Sequence, residues 1–313
     1  CIYPEIMPNA EKSKKIAIIG AGPAGVTLAV NAAKRGHKVE IFEASDKVGG
    51  KIIAGGVPKI KFDLANYREF LQNDLNTAID KYDVKVNFKT IADNEMLKSK
   101  NFDTVVFANG TRESIPPING IDRVKHVLAT ELLNEPTLLG DAKNVVVVGG
   151  GVVGCETAYW LTYEKKCSVK VVEMSNEIME GVCTANRGHL IHYLELAGTQ
   201  LINGAKVTGF EENNVIISKN SSKNLPNPYN TWQPILPKNI ENPLAPKIGT
   251  ATETMELKCD MVVLAMGGKS DNSLFFDAQQ MHIANEIYNI GDSNNAGRVL
   301  EATRAAYALA NSL

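Results

Sequence analysis

Two stretches of the chain carry glycines at the spacing needed to grip a phosphate. Ile16-Ala17-Ile18-Ile19-Gly20-Ala21-Gly22-Pro23-Ala24-Gly25 is a short apolar run ending in GxGxxG, and Val145-Val146-Val147-Val148-Gly149-Gly150-Gly151-Val152-Val153-Gly154 repeats it. A strand, a glycine turn and a helix set helix N-terminal N–H groups against a pyrophosphate, where the helix dipole favours negative charge. Gly20 and Gly149 permit the tight turn. Gly22 and Gly151 let the backbone approach the phosphates, and Gly25 and Gly154 let the helix pack on its strand. A second β-branched run follows each copy, Lys38–Phe42 and Ser168–Val172, and leads into an acid, Glu43 or Glu173. Such an acid can accept hydrogen bonds from the hydroxyls of an adenosine ribose. One GxGxxG alone is a glycine turn found in any α/β protein; two, each with its acid, predict two dinucleotide sites.

The acid at 173 also bears on which nucleotide is used. It repels a 2′-phosphate, and its neighbours Met174, Ser175 and Asn176 offer no Arg or Lys to neutralise one. NADH is therefore expected, with NADPH as the alternative if Glu173 only caps its strand and other residues set the preference.

The elements that must position these residues repeat as well. Asp103-Thr104-Val105-Val106-Phe107-Ala108-Asn109-Gly110 matches Asp260-Met261-Val262-Val263-Leu264-Ala265-Met266-Gly267, each a buried strand running into a glycine. From first to closing glycine the copies span 90 positions (20 to 110) and 118 (149 to 267), so the second has 28 more. The excess falls between about 213 and 254, where six prolines sit among Asn and Ser, and it reads as an extended loop without a packed element. The expected fold class is α/β, with two Rossmann-like domains, the second inserted into the first. Residues 1–114 plus 270–313 form the first and 115–269 the second, with the Pro-rich insertion near 213–254.

Composition sets the outer bounds. At roughly 150 residues per domain, 313 residues suggest two domains. The net charge of -2, from 33 basic and 35 acidic residues, argues against nucleic acid as a partner. No apolar run approaches the roughly 20 residues that span a bilayer, so no membrane role is expected. The five cysteines (Cys1, Cys155, Cys167, Cys183, Cys259) show no CxxC spacing and read as reduced thiols in a cytoplasm. The opening at Cys1 rather than Met suggests a piece of a longer protein. His37, His126, His189, His192 and His282 share no pattern, and most are expected on the surface or in loops.

Two further segments differ between the copies. Ser45-Asp46-Lys47-Val48-Gly49-Gly50-Lys51 is a second glycine turn able to approach a long cofactor from the other side. Asn289-Ile290-Gly291-Asp292 precedes a helix expected from about 298 to 311. There a carboxylate can meet a sugar-alcohol hydroxyl, and the helix N-terminus can stabilise charge on a reduced isoalloxazine.

Together these segments resemble the two-dinucleotide-binding flavoprotein superfamily: the first glycine turn with Glu43 and Val48-Gly49-Gly50 its FAD half, Asp103–Gly110 and Asp260–Gly267 its "ATG" strands, Ile290-Gly291-Asp292 its terminal FAD motif. More narrowly, Gly149–Ala158 followed by Val171-Val172-Glu173-Met174 is similar to the C-terminal portion of the 2,4-dienoyl-CoA reductase / NADH:flavin oxidoreductase group, which includes trimethylamine dehydrogenase and NADH oxidases related to old yellow enzyme. The resemblance implies FAD at Gly20, Gly22, Pro23, Ala24, Gly25, Glu43, Gly49, Gly50, Lys51, Ala108, Gly110, Gly291 and Asp292. It implies NAD(P)H at Gly149, Gly151, Val152, Val153, Gly154, Glu173 and Gly267. Lys51 departs from the Gln or Arg frequent after the glycine pair.

In that group an N-terminal FMN-binding barrel and a [4Fe–4S] segment precede this portion, and Cys1 resembles the last cluster cysteine; otherwise it is a boundary residue. The implied activity is hydride transfer from NAD(P)H to FAD, with electrons passed onward to the iron–sulfur and FMN portion. Such transfer needs orientation more than acid–base chemistry, so no catalytic residue is nominated. This chain alone would show diaphorase-type activity. The alternatives are a non-catalytic module holding ADP, and a stand-alone NADH:acceptor reductase.

Overall fold

The computed structural model describes residues 8–115, 117–232, 240 and 243–313. Cys1 lies outside the described residues. By packing, the chain divides into two compact units. One comprises Cys1–Gly56, Lys61–Arg112 and Gly268–Leu313; the other comprises Val57–Ile60 and Glu113–Gly267. Both are α/β units built on parallel sheets.

In chain order the strands are β1 (Lys15–Ile19), β2 (Lys38–Phe42), β3 (Lys85–Asn87), β4 (Thr104–Phe107), β5 (Thr111–Glu113), β6 (His126–Leu128), β7 (Asn144–Val148) and β8 (Ser168–Val172). They continue as β9 (Gln200–Ile202), β10 (Ala205–Glu211), β11 (Asn214–Asn220), β12 (Thr252–Lys258), β13 (Met261–Leu264), β14 (Gly268–Ser270) and β15 (Glu286–Asn289).

In the first unit the sheet runs β15-β4-β1-β2-β3 with every neighbour parallel. Its strands are apolar on both faces because both faces are covered. Ile16, Ile18, Val39, Ile41 and Val106 pack against Leu28, Leu71, Leu75 and Ala306 on three long helices. Ala17, Ile19, Phe42, Val105 and Phe107 pack the other way, with Leu97, Ala278 and Ile283. Ala302, Ala306 and Ala310, four apart on the helix Val299–Ser312, form a small-residue stripe that lets it lie close to the helix Pro23–Lys34.

The second unit repeats the plan as β6-β13-β7-β8-β9, again all parallel. In each sheet the chain moves from the central strand (β1 or β7) outward through two neighbours, then crosses back to β4 or β13. The crevice at the carboxyl ends of β1 and β4, and of β7 and β13, is the topological switch point where ligands bind in such sheets.

One expectation needs correction here. The ends of the 213–254 stretch are strands, not loop: β11 pairs in antiparallel register with β12 over seven residues and with β10 over six, with a bulge between Val207 and Gly209. Val207, Phe210, Val215, Ile217 and Leu257 of this three-stranded sheet cover Val146, Val148, Val172, Val262 and Leu264 of the parallel sheet. Val215 and Ile217 are buried and alternate with half-buried Asn214, Ile216 and Ser218, a period of two that the apolar Ile216 and the surrounding Asn and Ser residues mask in the sequence. His37, in the connection between the helix Pro23–Lys34 and β2, is only 3% exposed. Its Nδ1 accepts the Lys14 N–H at 3.1 Å. The other four histidines are exposed. No described helix is long and apolar enough to cross a membrane.

Candidate dinucleotide-binding sites

In the first unit, Gly20 ends β1 with φ +105°, and a Cβ there would stand 2.5 Å from the carbonyl oxygen of Ala108 at the end of β4. Only glycine tolerates both the backbone angle and the approach. A Cβ on Gly25 would come within 1.9 Å of the Gly20 carbonyl oxygen, so the helix start is pressed onto the turn itself. Gly22 differs: a Cβ there meets nothing within 4 Å. It precedes the helix Pro23–Lys34, whose first turn has no side-chain cap and no acidic residue. The helix therefore presents uncapped N–H groups and its positive dipole end to open space.

The rest of this set gathers around that turn. Glu43 Oε2 accepts the Ala21 N–H at 2.7 Å and its Oε1 accepts the Ser45 N–H at 2.8 Å. The Gly49 N–H donates to the Ala21 carbonyl at 2.9 Å, and a Cβ on Gly50 would lie 3.3 Å from the Gly22 Cα. The second glycine turn thus backs the first. Arg68, which the sequence reading passed over, holds it from beneath by donating to the Val48 carbonyl at 3.1 Å. Gly291, at φ +65°, abuts Ala24, to which a Cβ would come within 2.9 Å. Asp292 Oδ1 accepts the Gly297 N–H at 3.0 Å. Gly110 has φ +81° with open space beside it, and Lys51 is exposed at the start of the short helix Ile52–Gly55.

The second unit reproduces this geometry closely. Gly149 has φ +108° and stands against the Ala265 carbonyl oxygen, 2.3 Å from where its Cβ would be. A Cβ on Gly154 would meet the Gly149 carbonyl oxygen at 1.9 Å, whereas one on Gly151 would meet nothing. The helix Val152–Tyr159 likewise begins without a side-chain cap or an acid, with Val152 and Val153 exposed on its first turn. Glu173 Oε2 accepts the Gly150 N–H at 2.6 Å and Oε1 the Ser175 N–H at 2.7 Å. Gly267, at φ +82°, has open space beside it.

The repeat extends past the point where the sequence reading stopped. Glu43-Ala44-Ser45-Asp46-Lys47-Val48-Gly49 corresponds to Glu173-Met174-Ser175-Asn176-Glu177-Ile178-Met179. The Met179 N–H donates to the Gly150 carbonyl at 2.8 Å, as Gly49 does to Ala21. The shared Glu-x-Ser and the apolar residue at the sixth place were the available signal. Arg187 was missed outright. It is 1% exposed, donates from Nε to the Ile178 carbonyl at 2.9 Å, and from Nη1 to the Asn230 carbonyl. Burial lowers its pKa, which nearby Glu177 counteracts.

Both turns fit a dinucleotide. Each leaves the middle glycine facing unfilled space and the first helical turn without an anion of its own. Each acid has its two oxygens oriented by one backbone N–H apiece, and a carboxylate retains further lone pairs for a ribose hydroxyl.

Comparison with known proteins gives one family: the sequence profile described as "Pyridine nucleotide-disulphide oxidoreductase" matches residues 14–294. The chain is 32% identical to a bilirubin reductase of Mediterraneibacter gnavus over 98% of its own length and 42% of that protein's. It is 27% identical to an NADH oxidase of Thermoanaerobacter brockii, covering 99% of this chain and 42% of the oxidase. Among solved structures, a 2-naphthoyl-CoA reductase in complex with 2-naphthoyl-CoA superposes with a TM-score of 0.81 at 26% identity, over 98% of this chain and 41% of that one. The chain thus spans about two fifths of the length of these proteins.

Proposed function

The chain belongs to the pyridine nucleotide-disulphide oxidoreductase family, whose members are NAD(P)H-dependent flavoproteins, and we propose that it is the module of a longer flavoenzyme that takes hydride from NAD(P)H onto FAD and sends the electrons to an iron–sulfur and FMN portion. The observation that carries this reading is the pair of uncapped glycine turns, each braced by its own acid. Residues 1–114 with 270–313 are assigned to FAD and 115–269 to NAD(P)H. The division of the chain at Arg112 and Gly268 supports that assignment.

FAD, when bound, supplies the hydride acceptor and the step from two-electron to one-electron chemistry. The residues of the chain do the holding. The first-turn N–H groups after Gly22 and Gly151 would bind the two pyrophosphates, Glu43 and Glu173 would accept ribose hydroxyls, and Gly49, Gly50 and Gly291 let the neighbouring backbone pack closely around the first turn. Asp292 would accept from a hydroxyl of the sugar-alcohol chain. Nothing in the scheme asks for a general acid or base, because orientation dominates hydride transfer. Glu173 without a neighbouring cation at 174–176 favours NADH over NADPH.

The cytoplasm as compartment, the N-terminal FMN barrel as partner and Cys1 as the last cluster ligand belong to the same proposal. The four described cysteines are free, in keeping with a reducing compartment. Flavin retention tests the reading: the chain is incubated with FAD, desalted, and its visible spectrum recorded. Retained flavin near one equivalent is expected. Retention of ADP without flavin would replace the reading by a structural nucleotide module.

A further inference from the structure

The described part of the Pro-rich insertion has a defined place within the second unit, and it is fastened by side chains to the segment that shapes the nucleotide turn. Asn203, just past β9, is 2% exposed. Its amide donates both to the Asn176 carbonyl at 2.6 Å and to the Pro226 carbonyl of the insertion at 2.9 Å. Next to it, the Gly204 N–H donates to the Ser175 carbonyl and the Ala205 N–H to the Glu173 carbonyl, both at 2.8 Å. Tyr229, three residues on in the insertion, donates its hydroxyl hydrogen to the Thr199 carbonyl at 2.7 Å and accepts the Leu201 N–H at 3.1 Å. Asn230 then receives the buried Arg187 guanidinium, whose Nε holds the Ile178 carbonyl.

Two routes therefore run from the insertion to Gly150. One passes from Pro226 through Asn203 to the Asn176 and Ser175 backbone and so to Glu173, which accepts the Gly150 N–H. The other passes from Asn230 through Arg187 to Ile178, whose side chain backs Gly150; a Cβ on that glycine would touch Ile178 Cδ1 at 3.0 Å. The first unit has no segment corresponding to the 28 additional residues, and its glycine turn is backed by a second glycine turn instead.

We infer that residues 224–231 act as a strap that sets the position of the Glu173–Met179 loop, with Asn203 and Arg187 as its fastenings, so that the insertion tunes how tightly the second unit holds the adenosine half of NAD(H). The inference rests on the nucleotide reading above. Asn203 and Tyr229 are positioning residues, since neither belongs to the set that meets the nucleotide. A buried amide that loses its role leaves two carbonyls unpaired, and such losses propagate to whatever the carbonyls hold in register.

The test compares wild type, Asn203→Ala and Tyr229→Phe by calorimetric titration with NAD+, alongside FAD titration of the same preparations. Tyr229→Phe removes a single hydroxyl and guards against a variant that fails to fold. The expected result is a five- to tenfold rise in the Kd for NAD+ in both variants, with the Kd for FAD unchanged. NAD+ affinity within twofold of wild type in both variants would overturn the strap. So would a parallel loss of NAD+ and FAD affinity, which marks general destabilisation. If wild type itself binds FAD but no NAD+, the nucleotide reading of the second unit fails, and the strap with it.

Discussion

Glu173 Oε2 accepts the Gly150 N–H at 2.6 Å, inside the second glycine turn. Its counterpart Glu43 does the same for Ala21 at 2.7 Å. Each acid therefore braces its own glycine turn through backbone hydrogen bonds. A hydrogen bond to a charged group contributes about 1.5–3 kcal/mol, and each 1.4 kcal/mol is tenfold in affinity. Glu173→Ala is expected to weaken NADH binding about 10- to 100-fold while leaving FAD content unchanged, measured by titration of the flavin-loaded protein. Binding within twofold of wild type would remove the brace from the account.

Gly22 and Gly25 make opposite predictions though three residues apart. Gly25→Ala places a Cβ 1.9 Å from a backbone oxygen, so the turn must open; a loss of about 1–3 kcal/mol or more is expected, read as a lowered Tm. Gly22→Ala puts its Cβ into free space at an ordinary extended φ of -77°, so stability should stay within about 0.5 kcal/mol. That Cβ occupies the surface a pyrophosphate must approach, and flavin retention should fall at least about tenfold. A Gly22→Ala protein that keeps full flavin would place the cofactor elsewhere.

Burial pushes the His37 pKa below its ordinary 6.5, with the Arg35 and Lys14 charges adding to the effect and Glu286 opposing it. A group whose folded pKa is depressed contributes its stability in full above the unfolded value and loses it as pH falls through the folded one. Protonation would also cost the Nδ1 acceptor for Lys14. Melting temperature should therefore drop between pH 7 and pH 5, and His37→Gln should flatten that part of the profile. An unchanged slope in the variant would assign the acid sensitivity to other groups.

Cys155, Cys167 and Cys259 are buried, and burial raises all three thiol pKa values. Cys183 is exposed. Because the thiolate is the reactive form, iodoacetamide at neutral pH should label Cys183 first among these four, and the other three only after denaturation. Mass spectrometry of the native, labelled protein checks this; rapid labelling of Cys155 would contradict the packing of the helix Val152–Tyr159.

The sequence made legible whatever depended on local pattern. The two glycine turns, the acids after β2 and β8, and the strands closing at Gly110 and Gly267 all follow from apolar runs meeting obligatory glycines. What stayed hidden depends on contacts distant along the chain. Val215 and Ile217 acquire meaning only once Val146 and Val148 lie beneath them. Arg187 looks like an ordinary helical surface residue until Asn230, 43 positions later, folds over it. His37 is a loop residue, and its burial was hidden because the segment that covers it, Ala10–Lys14, has no periodicity of its own. Composition misled in the insertion, where Asn and Ser at outward positions of a strand look the same as Asn and Ser in a loop.

The central claim is that both glycine turns work in one electron path, and an anaerobic NADH titration of the FAD-loaded chain, followed by visible absorbance, tests it most directly. The account predicts that about one equivalent of NADH bleaches the bound flavin band. Bound flavin that remains oxidised in excess NADH would contradict it.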